Sequence, residues 1–133
     1  MATEFVINEV RYTHIPLDTF TQMFACRKTS ILFTALSKGY PLLDVLYDMP
    51  QDDLSLVIAA VMPSVKRFEN GVWVAIFNKD AGRFAYNDIS AFAAFQILME
   101  VLTEYVPPFL AESARWESAI QAGAKAKEPS EPV

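Results

Sequence analysis

The chain has few of the residues on which most metal and redox sites depend. Its 133 residues include one cysteine, one histidine and four glycines. A zinc site normally needs several His, Cys or carboxylate ligands, which His14 alone cannot supply. Cys26 has no partner for an internal disulfide, which is typical of a protein from a reducing compartment. We therefore predict no metal, no other cofactor and no disulfide.

Phosphate-binding and calcium-binding loops are also missing. The glycines are scattered, and none is followed by the Lys-Ser or Lys-Thr pair of a nucleotide-binding loop. Asp48, Asp52 and Asp53 surround Pro50 without the central glycine of a calcium loop, so their spacing predicts the start of a helix. These absences argue against a protein that binds or hydrolyses nucleotides.

A nucleophilic site would have to use Cys26 and His14. No glycine-rich oxyanion turn and no third orienting group follows either residue. We therefore predict a small buried thiol on a helix and a histidine at the surface or at the edge of a hairpin. A small thiol enzyme remains the enzymatic alternative, and we predict that the protein is not an enzyme and has no catalytic residues.

Basic residues are in the minority. The chain has 11 Lys and Arg against 16 Asp and Glu, a net charge of −5 and an isoelectric point near 4.8. The pairs Arg27-Lys28 and Lys66-Arg67 are too short for a nucleic-acid patch. Nucleic acid is therefore excluded from the expected partners.

The longest apolar run in the middle of the chain is also short. It extends from Leu56 to Met62 and stops at Pro63, whereas a membrane helix needs roughly 20 residues. The first ten residues, MATEFVINEV, lack the basic start of a secretory signal. We expect no membrane partner. Yet 53% of the residues are hydrophobic and the mean hydropathy is +0.21, which predicts apolar surface covered by a partner.

The first half of the chain contains strand and helix signals in turn. EFVINEVRY predicts a small hairpin, although Glu9 resists the positive φ of a tight turn. Asp18 is expected to cap a helix that ends near Gly39, with either a bend or a division into two shorter helices at 27–30. The expected core stripe of this helix is Phe20, Met23, Phe24, Ile31, Leu32, Ala35 and Leu36. Pro50 then opens a further helix.

The second half is predicted to contain a hairpin and two helices. VWVAIF and RFAY flank NKDAG, in which Gly82 can take a positive φ. Asp88 is expected to cap a helix from Ile89 to Val106, and Pro107-Pro108 to end it. A last helix follows from about Phe109 to Gln121.

The predicted fold class is mainly α. It is a small helical domain of about four to five helices with one or two short β-hairpins. Residues 1–122 form a single globular domain, and residues 123–133 form a disordered tail because GAKAKEPSEPV has little to bury.

Three segments together resemble the tail assembly chaperones of long-tailed bacteriophages: FVINEVRYTHIPLDTFTQMFACRK, LLDVLYDMPQDDLSLVIAAVMPSVKR and GVWVAIFNKDAGRFAYNDISAFAAFQILMEVLTEYVPPFLAE. The likeness covers about Phe5 to Glu112. The matching positions are Tyr12, Leu17-Asp18-Thr19-Phe20, Asp52-Asp53, Arg67, Trp73, Ile97-Leu98-Met99 and Phe109. Asn8-Glu9, where the family has Asn-Gly, and the helix-breaking Pro63 depart from the pattern.

The resemblance implies a protein that is not an enzyme and acts in the host cell cytoplasm. Such a chaperone binds the tape measure protein, self-associates along it and keeps it soluble until tail tube subunits polymerise. A longer product, made by ribosomal frameshifting, would recruit the tail tube protein. The alternative is another small phage adaptor or structural interaction module.

The residues that we expect to bind a partner are aromatic or aliphatic. Exposed aromatic clusters mark interfaces, and a central tryptophan often contributes most to binding. The predicted partner-binding residues are Trp73, Phe77, Phe109, Trp116 and Ile120. The simpler alternative is that Trp73, Val74, Ile76 and Phe77 only cover the long helix, because a hairpin needs a helix to rest on.

Overall fold

Two hairpins from distant parts of the chain form one antiparallel sheet in the structure, a computed structural model that describes the backbone of residues 3–127 and the side chains of residues 4–123. The strand order is β1-β2-β3-β4. Tyr12 pairs with Phe5 on one side and with Arg67 on the other, and Arg67 pairs with Val74. The strands are β1 (Thr3–Ile7), β2 (Val10–His14), β3 (Val65–Glu69) and β4 (Val72–Ala75).

Both hairpins turn through two residues that have positive φ. The first turn has Asn8 at φ 51° and Glu9 at 68°, and the second has Asn70 at 49° and Gly71 at 83°. Positive φ at both central positions is the type I′ geometry that suits the twist of paired strands. The first predicted hairpin is therefore confirmed, and its turn is tight even though it contains Glu9.

The second predicted hairpin is confirmed in a shorter form, because Phe77 of VWVAIF pairs with Phe84 of RFAY, whereas VWVA pairs elsewhere. VWVA pairs with VKRFE, the segment that precedes it in the chain. The turn between them is Asn70-Gly71, and Asn-Gly is a strong type I′ signal. RFAY contributes only to a separate two-stranded sheet of β5 (Phe77–Asn78) and β6 (Arg83–Phe84). Gly82 has φ 67° in the loop between them, as expected.

Within residues 3–127, five helices accompany the two sheets. The expected number of helices is confirmed, but the described chain is a mixed α and β fold, because the two hairpins merge into a four-stranded sheet. The helices are α1 (Thr19–Ser37), α2 (Leu42–Asp48), α3 (Gln51–Val61), α4 (Ala91–Leu102) and α5 (Val106–Lys127), with a 3₁₀ turn at Met62–Ser64.

Helix α1 is one continuous helix with a side-chain cap. Asp18 Oδ1 accepts a hydrogen bond of 2.7 Å from the Thr21 N–H, and this bond lowers the pKa of Asp18. The helix is not divided into two at 27–30. Thr29 is buried there and its hydroxyl donates to the Ala25 carbonyl at 2.7 Å, which keeps the polar group inside the helix. The chain leaves the helix through Gly39 at φ 89°.

The ends of α4 and α5 differ from the prediction. Ser90, and not Asp88, caps α4, with its hydroxyl accepting from the Ala93 N–H at 3.1 Å. Pro107 and Pro108 lie in the first turn of α5. Backbone N–H groups in the first turn have no acceptor within the helix, so a proline there removes no helical hydrogen bond. The same helix continues past Gly123 to Lys127, into the predicted disordered tail, and residues 128–133 lie outside the described residues.

The core lies between the helices and one face of the larger sheet. Alternation along the strands puts Tyr12 and Val65 on the inner face, against α3, α4 and the start of α5. Its fully buried side chains are Leu32, Val57, Val61, Met62, Ile76, Ile97, Leu98, Val101, Leu102 and Val106. Among the described residues, no helix is both long and apolar enough to cross a membrane.

Candidate interaction surface

His14 is a buried structural residue. Its side chain is 1% exposed, which makes the predicted surface or edge position wrong. Nδ1–H donates to the Ile15 carbonyl at 3.1 Å, and Nε2 lies 3.5 Å from the Glu104 carboxylate. The Tyr105 hydroxyl accepts from the Leu17 N–H at 3.0 Å. These contacts connect the end of β2 to the segment between α4 and α5.

Cys26 has the environment of an inert thiol. It is 2% exposed, and its Sγ lies 3.8 Å from the Tyr105 carbonyl oxygen. Burial raises the pKa of the thiol, so the nucleophilic thiolate is depleted at neutral pH. This position agrees with the predicted buried thiol. Within residues 4–123, no group of three His, Cys, Asp or Glu side chains is arranged to hold a metal ion.

Trp73 lies on the outer face of the larger sheet. Its ring meets Phe68 edge to face at 5.1 Å, and the Arg11 guanidinium lies 4.6 Å from the Phe68 centroid and 5.5 Å from the Trp73 centroid. Strand alternation places these three side chains opposite Tyr12 and Arg67, on the side away from the core. The alternative in which Trp73 covers the long helix is therefore wrong, and its side chain is partly exposed.

Phe77 does not lie on the surface. It is 8% exposed and packs edge to face on Phe84 at 5.2 Å, beside the fully buried Ile76. As a core residue, Phe77 lacks the accessible side chain that the predicted partner-binding role requires. For Ile76 and Phe77 the covering alternative describes the structure better.

The other three predicted residues are exposed and lie on α5: Phe109, Trp116 and Ile120. Helix α1 adds three exposed apolar residues that we expected in the core: Phe20, which is 83% exposed, Met23 and Ile31. The buried residues of α1 are Ala25, Cys26, Thr29 and Leu32, and of these only Leu32 belongs to the predicted stripe. Because α1 is apolar on more than one side, its periodicity alone does not identify the buried face.

The exposed residues of α1 and α5 come together where the helices cross. Met23 and Phe109 line an open groove of about 220 Å³, with Glu104 and Glu112 at its rim. Phe20 lies one turn before Met23 on the same side of α1. We call Phe20, Met23 and Phe109 the α1–α5 face. It is an apolar surface with an acidic border.

Comparison with known proteins adds no relative. No family model, no curated protein and no solved structure matches this chain. The family resemblance therefore stays a hypothesis, and the surface itself must support any function.

Proposed function

We propose that this protein is a bacteriophage tail assembly chaperone that binds the tape measure protein and keeps it soluble in the host cytoplasm. The observation that carries the proposal is the α1–α5 face, on which large apolar side chains lie open to solvent beside each other. A monomer that exposes such a cluster on helices normally covers it with a partner. The proposed partner is a long helix with apolar faces.

The shape and charge of the face suit a helical partner. Phe20 and Met23 are one helical turn apart, and Phe109 extends their surface across to α5. An amphipathic helix binds such a groove through apolar anchors spaced three or four residues apart. Glu104 and Glu112 at the rim favour lysine or arginine beside those anchors.

The proposed mechanism is passive holding and displacement. The groove is small and open, so each copy binds with modest affinity, and repetition along a long helix supplies the total strength. Polymerising tail tube subunits then displace the copies one at a time. The net charge of −5 keeps the loaded assembly dispersed. A longer, frameshifted form would bring in the tail tube protein.

The test is affinity capture from cells that produce the whole particle, followed by mass spectrometry. The bait is the tagged full chain, and the variant combines Phe20→Ser with Met23→Ser. Phe92→Ser is the matched control, because Phe92 is also an exposed phenylalanine but lies on α4. Circular dichroism checks that all three baits fold alike.

We expect the wild type and Phe92→Ser to recover a long helical tape measure protein, and the double variant to lose it. Recovery of only a capsid or host protein by the wild type would overturn the proposal in favour of an adaptor. Equal recovery by the double variant would show that another surface binds the partner.

A further inference from the structure

The buried imidazole of His14 has one ring nitrogen without a hydrogen bond. Nδ1 lies 3.1 Å from the Ile15 carbonyl oxygen and bonds to it. Nε2 lies 3.5 Å from the Glu104 carboxylate but makes no hydrogen bond there, although the side chain is only 1% exposed. A buried polar atom that is left unpaired costs free energy, so this nitrogen needs a physical explanation.

Both neighbours of the ring are hydrogen-bond acceptors. A neutral imidazole has one N–H and one lone pair, whereas an imidazolium has an N–H on each nitrogen. In either neutral tautomer of His14, a lone pair therefore points at an acceptor, which is the Ile15 carbonyl in one case and the Glu104 carboxylate in the other. The imidazolium donates to both. A second proton on the ring thus completes the hydrogen bonding of this site.

The other elements packed around His14 bring neutral groups to it. Tyr105 meets the ring edge to face at 6.4 Å, and burial raises the pKa of Tyr105, which keeps its phenol neutral. The residues opposite His14 on β1 and β3 are Thr3 and Val65, which do not titrate. From α1, Cys26 contacts the Tyr105 carbonyl, and burial raises the pKa of that thiol too. The protonation of the imidazole is therefore coupled to the carboxylate beside it.

That carboxylate also borders the α1–α5 face. The Glu104 side chain is 39% exposed, and it lines the groove of about 220 Å³ together with Met23 and Phe109. One carboxylate thus stands between a buried imidazole and an open apolar groove. A hydrogen bond from an imidazolium to a carboxylate is short and strong, whereas two acceptors do not attract each other. Protonation of the ring therefore draws Glu104 away from the groove.

We propose that His14 and Glu104 form a proton-operated switch that regulates the α1–α5 face. When His14 takes up a proton from solvent, Glu104 turns inward and pairs with the imidazolium. When the proton leaves, the carboxylate turns to the groove and pairs with a lysine or arginine of the bound helix. Partner binding and protonation of His14 oppose each other, so binding is weaker at low pH. His14 is a positioning residue, because it acts through Glu104. The identity of the partner rests on the proposed function, whereas the switch belongs to the free protein.

The first test is an NMR titration of the purified full chain without any partner, between pH 5 and 8, where imidazoles titrate. The chain has one histidine, so its ring signals are unambiguous. We expect the methyl signal of Met23 in the groove to change together with the His14 ring signals. The methyl signal of Met49, which borders a different cavity, should stay constant. The Met23 response should be lost in Glu104→Gln and kept in Glu112→Gln, the control that also removes a carboxylate from the rim.

Two results of this titration would overturn the switch. One is a Met23 signal that stays constant in the wild type while the His14 ring titrates, or a ring that does not titrate at all in this range. The other is a Met23 response of the same size in Glu104→Gln, because the carboxylate that the switch moves is then not Glu104.

The second test repeats the affinity capture of the tape measure protein at pH 6 and pH 8. We expect the wild type to recover about threefold more at pH 8, since a rim charge then becomes available to a basic partner. Glu112→Gln should recover less at both pH values with the same ratio, and the ratio for Glu104→Gln should be close to one. A wild-type ratio in Glu104→Gln would overturn the regulation. If the wild type recovers no tape measure protein at either pH, the proposed function fails, whereas the partner-free titration decides the switch.

Discussion

Arg67 on β3 donates two parallel hydrogen bonds to the Asp88 carboxylate, at 2.7 and 2.8 Å. The guanidinium also lies 4.3 Å from the centroid of the Tyr86 ring. A bidentate pair of this kind fixes orientation as well as distance. It holds the loop before α4 against the sheet, which explains why Asp88 is not the cap of that helix.

The Arg67–Asp88 pair predicts a pH-dependent contribution to stability. The hydrogen bonds from Arg67 lower the pKa of Asp88, so the contribution is present above the unfolded pKa of about 3.9 and is lost as the pH falls through the folded value. Because Asp88 is largely exposed, Asp88→Asn should lower the free energy of unfolding at pH 7 by only roughly 0.5–1 kcal/mol. Urea unfolding at pH 7 and in acid measures this. A difference that persists unchanged in acid would contradict the prediction.

The two hairpin turns predict opposite effects of glycine. Glu9 has φ 68°, which costs an L-residue roughly 1 kcal/mol, so Glu9→Gly should stabilise the protein by a few tenths of a kcal/mol or more after the entropy of glycine is counted. Gly71 has φ 83° with open space around it, so Gly71→Ala should destabilise through backbone strain alone, by about 1 kcal/mol. Thermal unfolding measures both. Destabilisation by Glu9→Gly would show that its side chain makes a contact worth more than the strain.

Cys26 should react slowly in the folded protein. Its thiol is buried and its pKa is raised, so both access and thiolate content are reduced. We expect alkylation by iodoacetamide at pH 8 to be many times slower in the native state than in urea, by mass spectrometry. Rapid alkylation of the native protein, as fast as in urea, would revive the thiol-enzyme alternative.

The Ser90 cap predicts a local loss of helix stability. Ser90→Ala removes the acceptor for the Ala93 N–H at the start of α4 and should cost about 1 kcal/mol. Ser55 is an exposed serine inside α3, and Ser55→Ala is the control, expected to be neutral or slightly stabilising. Equal effects of the two substitutions in urea unfolding would mean that the cap contributes nothing.

Local signals in the sequence located several features correctly. Asp18 is followed by the apolar stripe of α1, and Gly39 ends that helix, because capping and positive φ depend on neighbouring residues only. Asn70-Gly71 is an equally local signal for a turn, and the prediction for VWVAIF does not use it. Pro107-Pro108 is an ambiguous signal, since a proline pair fits the first turn of a helix, as in α5, as well as the end of one.

The candidate site depended on contacts that the sequence does not encode locally. His14 is buried because Glu104 and Tyr105, far along the chain, meet it. Phe20 and Met23 are exposed because the small residues of α1 face the core instead. Exposure of Phe109, Trp116 and Ile120 agrees with the sequence prediction for them, whereas their binding of a partner stays a prediction.

The pairing of β2 with β3 also sets the order in which the chain can fold. The two hairpins close over two-residue turns, so each can form as soon as its own strands are made. The central pair, Tyr12 with Arg67, must instead enclose all of α1, α2 and α3, and closing so long a loop is slow. During synthesis on the ribosome, the edge of β2 that pairs with β3 therefore stays unpaired until the second hairpin has been made. The time needed to synthesise α1, α2 and α3 determines how long this edge remains unpaired.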